Sequence, residues 1–293
     1  MGNRALIFFN RGIGSRCLHM IFFILLASGL FSQEAGELRV ISFNIRYDNP
    51  DDKPNDWQAR KDLVCNVISD YQPDIAGLQE VLHKQLNDIL EALPDYDYVG
   101  VGRLDGMEKG EYAPILYLKD KFTMLENGHY WLSATPHVAG SKGWDAACER
   151  IVTWAILENK QDGKRCFVCN THFDHVGETA RLNSARMIKD SLREQAAGLP
   201  VILTGDFNTS PGTTPYQEIL ILGTPLRDSR MAHSSGESEL PTFTGFDNKP
   251  ENDALIDFIF VSKDFNVSDY RVIGNMPGEI FISDHKPVFI IIN

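Results

Sequence analysis

The chain has 293 residues, of which 43% are hydrophobic, 10% aromatic and 23% charged. These are globular values: they exclude a disordered or low-complexity chain and allow one large or two small cores. Its 28 Lys+Arg against 40 Asp+Glu give a formal net charge of −12, which argues against a non-specific nucleic-acid binder, since such proteins display a basic surface that neutralises phosphates.

In chain order, the first feature is a leader. Arg4, Arg11 and Arg16 precede an apolar run at 20–31 (MIFFILLASGLF), with small residues up to Ser32. This pattern predicts a signal peptide over 1–32, cut near Ser32–Gln33, and a secreted or periplasmic mature protein. The run is shorter than the about 20 apolar residues of a membrane span, although an uncleaved anchor is the alternative reading. No later segment reads as a membrane span.

From 37 to 293 no repeat, linker or composition break divides the sequence, so one domain is expected. Strands are predicted at 38–45, 75–80, 96–102, 113–119, 129–133, 150–158, 165–173, 200–206, 255–262, 267–274 and 286–292, from β-branched and aromatic runs bounded by turn residues. Helices are predicted at 56–71, N-capped by Asp56, at 81–93, at about 178–196 and from Thr214–Pro215. Many strands, few helices and no regular β-α alternation predict an α/β (α+β) fold, a four-layer sandwich of two packed mixed β-sheets flanked by α-helices. The long irregular stretches 46–55, 103–111, 134–149 and 230–253 are candidates for functional loops.

Cys166 and Cys169 spell C-x-x-C, but they sit in a strand-like run where side chains three apart face opposite ways, and no second such pair completes a zinc site. Both are read as unpaired core cysteines. Cys65 and Cys148 pair only if the fold brings them together.

The informative polar residues stand at the ends of apolar strands. Asn44 ends VISFN, Glu80 ends IAGLQE, His172 ends FVCNTH, and Asp206 and Asn208 end VILTGDFN; Asp257 interrupts ALIDFIF, and Asp284–His285 precede KPVFIII. Burying each alone is costly. Each has a bland reading, as a solvated strand end, a satisfied core histidine or an Asx-turn. Convergence at one edge of the sheets explains them together.

In this order the blocks SFN (42–44), LQE (78–80), GEYAPILY (110–117), ER (149–150), NTHFDH (170–175), GDFN (205–208), IDFIF (256–260) and SDHKPV (283–288) resemble the endonuclease/exonuclease/phosphatase superfamily. That is the fold of pancreatic-type deoxyribonuclease, abasic-site endonucleases, inositol-polyphosphate 5-phosphatases, neutral sphingomyelinases and poly(A) deadenylases. The resemblance implies a phosphoester hydrolase that uses Mg²⁺ or Mn²⁺. Glu80 is the implied principal metal ligand, Asp284 completes the metal environment, and Asn44 orients Glu80, ligates the metal or contacts the phosphate. Asp206 is implied to position or deprotonate the attacking water, with Asn208 fixing water or phosphate. His285, held by Asp257, and His172, with Glu111 as its carboxylate partner, are implied to face the phosphate. Tyr112 is the alternative polar group at the Glu111 strand. Arg150 is placed near the phosphate. Asp174 ranks above His175 as a further phosphate-side group, because strand alternation puts Asp174 on the His172 side.

The substrate is less legible. The loops RYDNPDDKPNDW and LDGMEKGEY are mixed or acidic, unlike loops that embrace a nucleic-acid strand. No apolar membrane-binding insertion or inositol-phosphatase segment stands out. The short blocks look most like uncharacterised secreted bacterial members, with a general likeness to the deadenylase-type branch. A small or surface-displayed phosphate ester, acted on by a monomer, is the expectation. Nucleic acid is admitted as a partner but not favoured, and a catalytically dead binding module is the remaining alternative.

Overall fold

In the computed structural model, which describes residues 36–221, 226–232, 239–247, 249, 251, 253–274 and 280–293, strand alternation is satisfied by apolar layers on both faces of two sheets. The predicted leader and Cys17 lie outside the described residues. The first sheet contains β1 (Leu38–Asn44), β2 (Ile75–Gln79), β3 (Tyr96–Val99), β4 (Ile115–Leu118), β11 (Val267–Val272) and β12 (Val288–Ile292), in the order β11-β12-β1-β2-β4-β3. The second contains β5 (Phe122–Trp131), β6 (Ile151–Asn159), β7 (Arg165–His172), β8 (Val201–Asp206), β9 (Leu226–Asp228) and β10 (Asp257–Ser262), in the order β5-β6-β7-β8-β10-β9. Each sheet has one central parallel pair, β1–β2 or β7–β8, and is otherwise antiparallel. A parallel pair needs a crossover, and helices α1 (Trp57–Tyr71) and α3 (Glu178–Gln195) supply them.

The sheets pack face to face on Val40, Ile75, Ile115, Val168, Ile202, Ile259 and Ile290. The outer face of the first sheet meets α1 and α2 (His83–Ala92) through Ile41, Phe43, Val64, Ile68, Leu86 and Ile89. The outer face of the second meets α3 and α4 (Thr214–Ile221) through Phe167, Leu203, Phe258, Phe260, Ile188 and Ile219. The expected two packed mixed sheets with helices outside are thus what the chain forms. Neighbours alternate as the two-residue strand period requires, Val40 inward and Ile41 outward. Cys166 enters the inter-sheet core and Cys169 the layer beneath α3, and Cys65 and Cys148 are also free thiols. The sequence reading cut one strand short and missed short elements such as β9. β5 starts at Phe122 rather than at 129, because its outer half (LENG) is an exposed sheet edge with no apolar alternation. β9 is three residues long, too short to show a period.

At one end the inter-sheet layer turns polar. Asn170 donates to Leu78 O (2.7 Å) and Pro114 O (2.9 Å) and accepts from Gln79 Nε2 (2.7 Å) and Thr204 Oγ1 (3.0 Å). Ser42 Oγ accepts from Gly205 N at 3.1 Å. Gly77 makes this approach feasible: a Cβ there would stand 2.0 Å from Thr204 Oγ1 and 2.8 Å from Asn170 Oδ1.

Two buried polar side chains tie down loops at the same end. Arg60, fully buried in α1, donates to Asn55 O (2.6 Å), Ile45 O (2.7 Å), Ile282 O (3.0 Å) and Arg46 O (3.2 Å). It joins the chain leaving β1 to the segment before Asp284. Asp174 accepts from the backbone N–H groups of Gly177 (2.7 Å), Ala147 (3.0 Å), Val176 (3.0 Å) and Cys148 (3.1 Å). The ranking of Asp174 over His175 at the phosphate side is therefore overturned. β7 ends at His172, alternation does not extend past a strand end, and Asp174 turns into the loops while His175 borders the cleft. Burial opposes ionisation of Asp174, but the four N–H donors outweigh it and hold the carboxyl well below the usual range.

Gly77→Ala should lower unfolding stability by about 1–3 kcal/mol. The loss should shrink when Thr204→Ala removes the nearest clashing atom; equal losses in both backgrounds, read by denaturant melts, would refute the close-approach argument. Asp174→Ala should cost about 2–4 kcal/mol at neutral pH by orphaning buried N–H groups. Because its folded pKa is depressed, that contribution is present above the unfolded carboxyl pKa of about 3.9 and disappears as pH falls through the folded value. The gap between wild type and variant should therefore narrow in acid.

Candidate active site

The two parallel pairs end at the same edge, so four strand-end side chains converge. β1 delivers Asn44, the residue after β2 is Glu80, β7 ends in His172 and β8 in Asp206. Across the second sheet His172 is in register with Asp206, and Asp206 with Asp257 at the start of β10. Asp284 and His285 arrive on the segment before β12, positioned by Ser283, whose hydroxyl donates to Asn44 O at 2.7 Å and accepts from His285 N at 3.2 Å. A cleft of about 610 Å³ opens over them.

Asn44 is the hub. Its amide donates to Asp206 Oδ2 (2.9 Å) and Glu80 Oε1 (3.2 Å) and lies 3.4 Å from His285 Nε2, while its Oδ1 accepts from Arg46 N at 3.0 Å. Asn44 as placed thus orients Glu80 and Asp206. His285 Nδ1 bonds Asp257 Oδ2 at 2.8 Å, and its Nε2 lies 3.6 Å from Asp206 Oδ2. Asp206 Oδ1 accepts from Asn208 N at 3.0 Å. Asn208 Nδ2 donates to Phe173 O at 3.0 Å and lies 3.1 Å from His172 Nε2. Arg46, Glu80 and Asn208 all border the cleft and all hold left-handed backbone (φ 58°, 62° and 46°). For Arg and Glu this conformation costs roughly 1–2 kcal/mol, so the packing around the site imposes it.

Burial drives the titration of these groups. It pushes Asp206 up, and the like charge of Asp257 adds to this, giving a pKa of about 7 against the opposing pull of His285. Burial opposes the His285 imidazolium, but Asp257 and Asp206 outweigh it and hold His285 well above the ordinary histidine range. His172 moves the other way: burial, then Arg150 and Arg103, keep it well below that range. Two histidines at one site are therefore shifted in opposite directions.

The residues present fit a divalent cation. Glu80 and Asp284 both face the cleft, and one guanidinium nitrogen, Arg46 Nη1, stands 3.9 Å and 3.7 Å from their carboxylates. Arg46 is itself engaged by Asp52 at 2.8 Å. Asp284 is raised by burial and by the nearby Glu80 charge, even though His285 and Arg46 oppose this. Such an under-compensated pair of oxygen donors suits a hard cation. Asp206, Asp257 and His285 also carry ligand-type atoms within 4.8 Å of one another, although the Asp257–His285 hydrogen bond already occupies one ring nitrogen.

The expected Glu111–His172 pairing is not what the structure forms. Glu111 receives both Nη atoms of Arg103, at 2.7 Å and 2.6 Å, and stands 4.0 Å from His172 Nδ1. The fork geometry of a guanidinium outcompetes a single imidazole nitrogen. Tyr112 is a core residue, its hydroxyl donating to Met107 O at 2.9 Å. Arg150 borders the cleft and is 4% exposed. Arg46, Tyr47, Arg103, Cys148 and Phe243 also border it and were not singled out from the sequence, as does His175, which the sequence ranked below Asp174. The first five lie in the irregular stretches 46–55, 103–111, 134–149 and 230–253, so loop length was the available signal; Phe243, in the last of these, packs its ring edge-on against His285 at 4.9 Å.

Comparison with known proteins agrees with this geometry. An endonuclease/exonuclease/phosphatase structure from Bacteroides vulgatus superposes with a TM-score of 0.84 at 42% identity, covering 88% of this chain and 98% of that one. A mannosyl-6-phosphatase of Bacteroides thetaiotaomicron gives 0.81 at 38% identity, covering 87% of this chain and 99% of that one. The CCR4-Not complex 3'-5'-exoribonuclease subunit Ccr4 of Mycosarcoma maydis is 26% identical over 305 residues, which take in 78% of this chain but 45% of that protein. This chain therefore spans less than half the length of that relative. The family model described as the Endonuclease/Exonuclease/phosphatase family matches residues 41–285, from β1 to the histidine that Asp257 holds, and the chain belongs to that family of hydrolases.

Proposed function

We propose that the protein is a divalent-metal-dependent phosphoester hydrolase acting on a small or surface-displayed phosphate ester, with a sugar phosphate monoester as the first candidate. The observation that carries this is Asp206, buried between His172 and His285 and hydrogen-bonded to the same Asn44 amide that holds Glu80. An extracytoplasmic location rests on the leader-like N-terminal sequence. No helix among the described residues is long and apolar enough to cross a membrane.

Each group has a step. Asp206 accepts a proton from water, whose oxygen attacks phosphorus in line; the P–O ester bond breaks, the leaving oxygen takes a proton from solvent, and Asp206 returns its own to solvent, so the products are phosphate and the alcohol. Asn208 steadies the Asp206 carboxylate through its backbone N–H. His285, held above its ordinary range by Asp257, donates to a phosphoryl oxygen, and His172 approaches from the other side. Glu80 and Asp284 would hold Mg²⁺ or Mn²⁺, which when bound stabilises negative charge on the phosphoryl oxygens and the leaving group.

Three observations support a small substrate. The cleft volume of about 610 Å³ is that of a small-molecule site. The chain carries a formal net charge of −12, which repels a polynucleotide outside the cleft. The mannosyl-6-phosphatase is 38% identical over 87% of this chain.

His285→Ala should lower kcat by about 10²–10⁴-fold while the thermal midpoint stays within a few degrees; near-normal turnover would remove His285 from the chemistry. EDTA should abolish hydrolysis and excess Mg²⁺ or Mn²⁺ should restore it, whereas chelator-resistant turnover would overturn the metal assignment. In a panel with Mg²⁺, phosphomonoesters should be cleaved in preference to DNA and RNA. Strong, salt-sensitive nucleic-acid cleavage would replace the small-ester reading with a nuclease.

A further inference from the structure

The end of the cleft beyond His172 takes no part in the water-activating steps. His172 directs Nε2 toward Asp206 (3.4 Å) and Nδ1 toward Glu111 (4.0 Å), so its ring divides the cleft. Past it stand the Arg103–Glu111 fork and Arg150. The fork keeps 12% and 15% of its two side chains exposed, both bordering the cleft. Arg150, 4% exposed, places Nη2 3.0 Å from His175 Nδ1 and Nε 3.5 Å from Asp174.

This end has more hydrogen-bonding capacity than the protein itself satisfies. Arg103 Nε, Arg150 Nε and Nη1, and His172 Nδ1 are buried without a hydrogen-bond partner, and the residues that carry them line a small adjoining hollow together with Glu111. Unpartnered buried donors in a native protein call for an explanation, and a polar ligand is one. The charge balance selects its kind. Arg103 is matched by Glu111 and Arg150 by Asp174, so no surplus cation awaits a second phosphate, as a polynucleotide would require. An apolar alcohol would leave the donors and the carboxylate dry and unpaired.

We propose that Arg103, Glu111 and Arg150 form the leaving-group subsite, and that it selects a neutral polyhydroxylated alcohol, a pyranose carrying the scissile phosphate. Hydroxyls both donate and accept, so they can bridge the exposed edges of a guanidinium–carboxylate fork, which apolar groups cannot. The proposal rests on the phosphoester-hydrolase reading.

The test compares mannose 6-phosphate with cyclohexylmethyl phosphate, which keeps the primary-alcohol leaving group and loses every ring hydroxyl, under Mg²⁺, with p-nitrophenyl phosphate as a third ester. Wild-type kcat/KM should be at least about tenfold higher for the sugar ester, because a site built for hydroxyls discriminates against an analogue lacking them. Arg103→Met and Glu111→Gln, each checked for folding by its thermal midpoint, should bring that ratio toward one. A wild-type ratio near one, or a ratio unmoved in both folded variants, overturns the subsite while hydrolysis itself stands. Cleavage of p-nitrophenyl phosphate alone also overturns it. Failure to hydrolyse any of the three overturns the phosphoester reading and the subsite with it.

Discussion

The active-site geometry depends on a polar seam that pulls the two sheets together at one end. Elsewhere the sheets are separated by aliphatic side chains, and that spacing would leave the strand ends too far apart to share a ligand. Where Asn170 bridges Leu78 O, Pro114 O, Gln79 and Thr204, the absence of a side chain at Gly77 lets β2 and β8 close in. The Asn44–Asp206 contact of 2.9 Å follows, because β1 is paired with β2 and is itself tied to β8 where Gly205 N donates to Ser42 Oγ. Asn170 makes four hydrogen bonds there and Gln79 Oε1 alone of the bridging side chains is left buried without a partner. Fixing the groups this way means the reaction need not reorganise them.

Electrostatically the cleft is unlike the rest of the protein. Against an overall net charge of −12, it gathers Arg46, Arg103 and Arg150 with three histidines beside four carboxylates. The cleft thus lacks the acidic excess of the surface, and that acidic surface disfavours a long polyanion. Inside the cleft the two rings are biased in opposite directions. His285 has a bonded carboxylate behind it and a second in front; on its Nδ1 side His172 has a carboxylate 4.0 Å away that is already committed to Arg103.

Arg103 also marks where this chain departs from the family expectation. A carboxylate partner for His172 was expected at Glu111, and Glu111 is in place, but an arginine from the same irregular stretch has claimed it. The effect is to convert a histidine-supporting acid into half of a charge-matched fork at the cleft wall. That changes what the cleft offers a substrate without altering the strand-end residues around Asp206.

How much was legible from the sequence follows from the range of each signal. Strand alternation and helix caps act over a few residues, so β1, β2, β7, β8 and the helices α1 and α3 could be read locally, as could Asp56 as the α1 cap. Polar residues at the ends of apolar strands likewise marked Asn44, Glu80, His172, Asp206 and Asp284–His285 as candidates, because burial makes such placement costly unless the groups meet. Alternation failed where the strand stopped, at Asp174, and periodicity was silent for the exposed half of β5. Partner choice was out of reach altogether. Whether Glu111 pairs with His172 or Arg103, whether Asp174 faces the cleft or four backbone N–H groups, and whether Arg60 is a surface cation or a buried clamp on four carbonyls depend on distances between segments far apart in the chain. The sequence by itself determined which polar side chains stand at the strand ends and the family whose pattern they follow. Only the tertiary structure decided which of them touch, because hydrogen bonds and ion pairs are settled by ångström-scale approach, and that approach was set by the two sheets closing on Gly77.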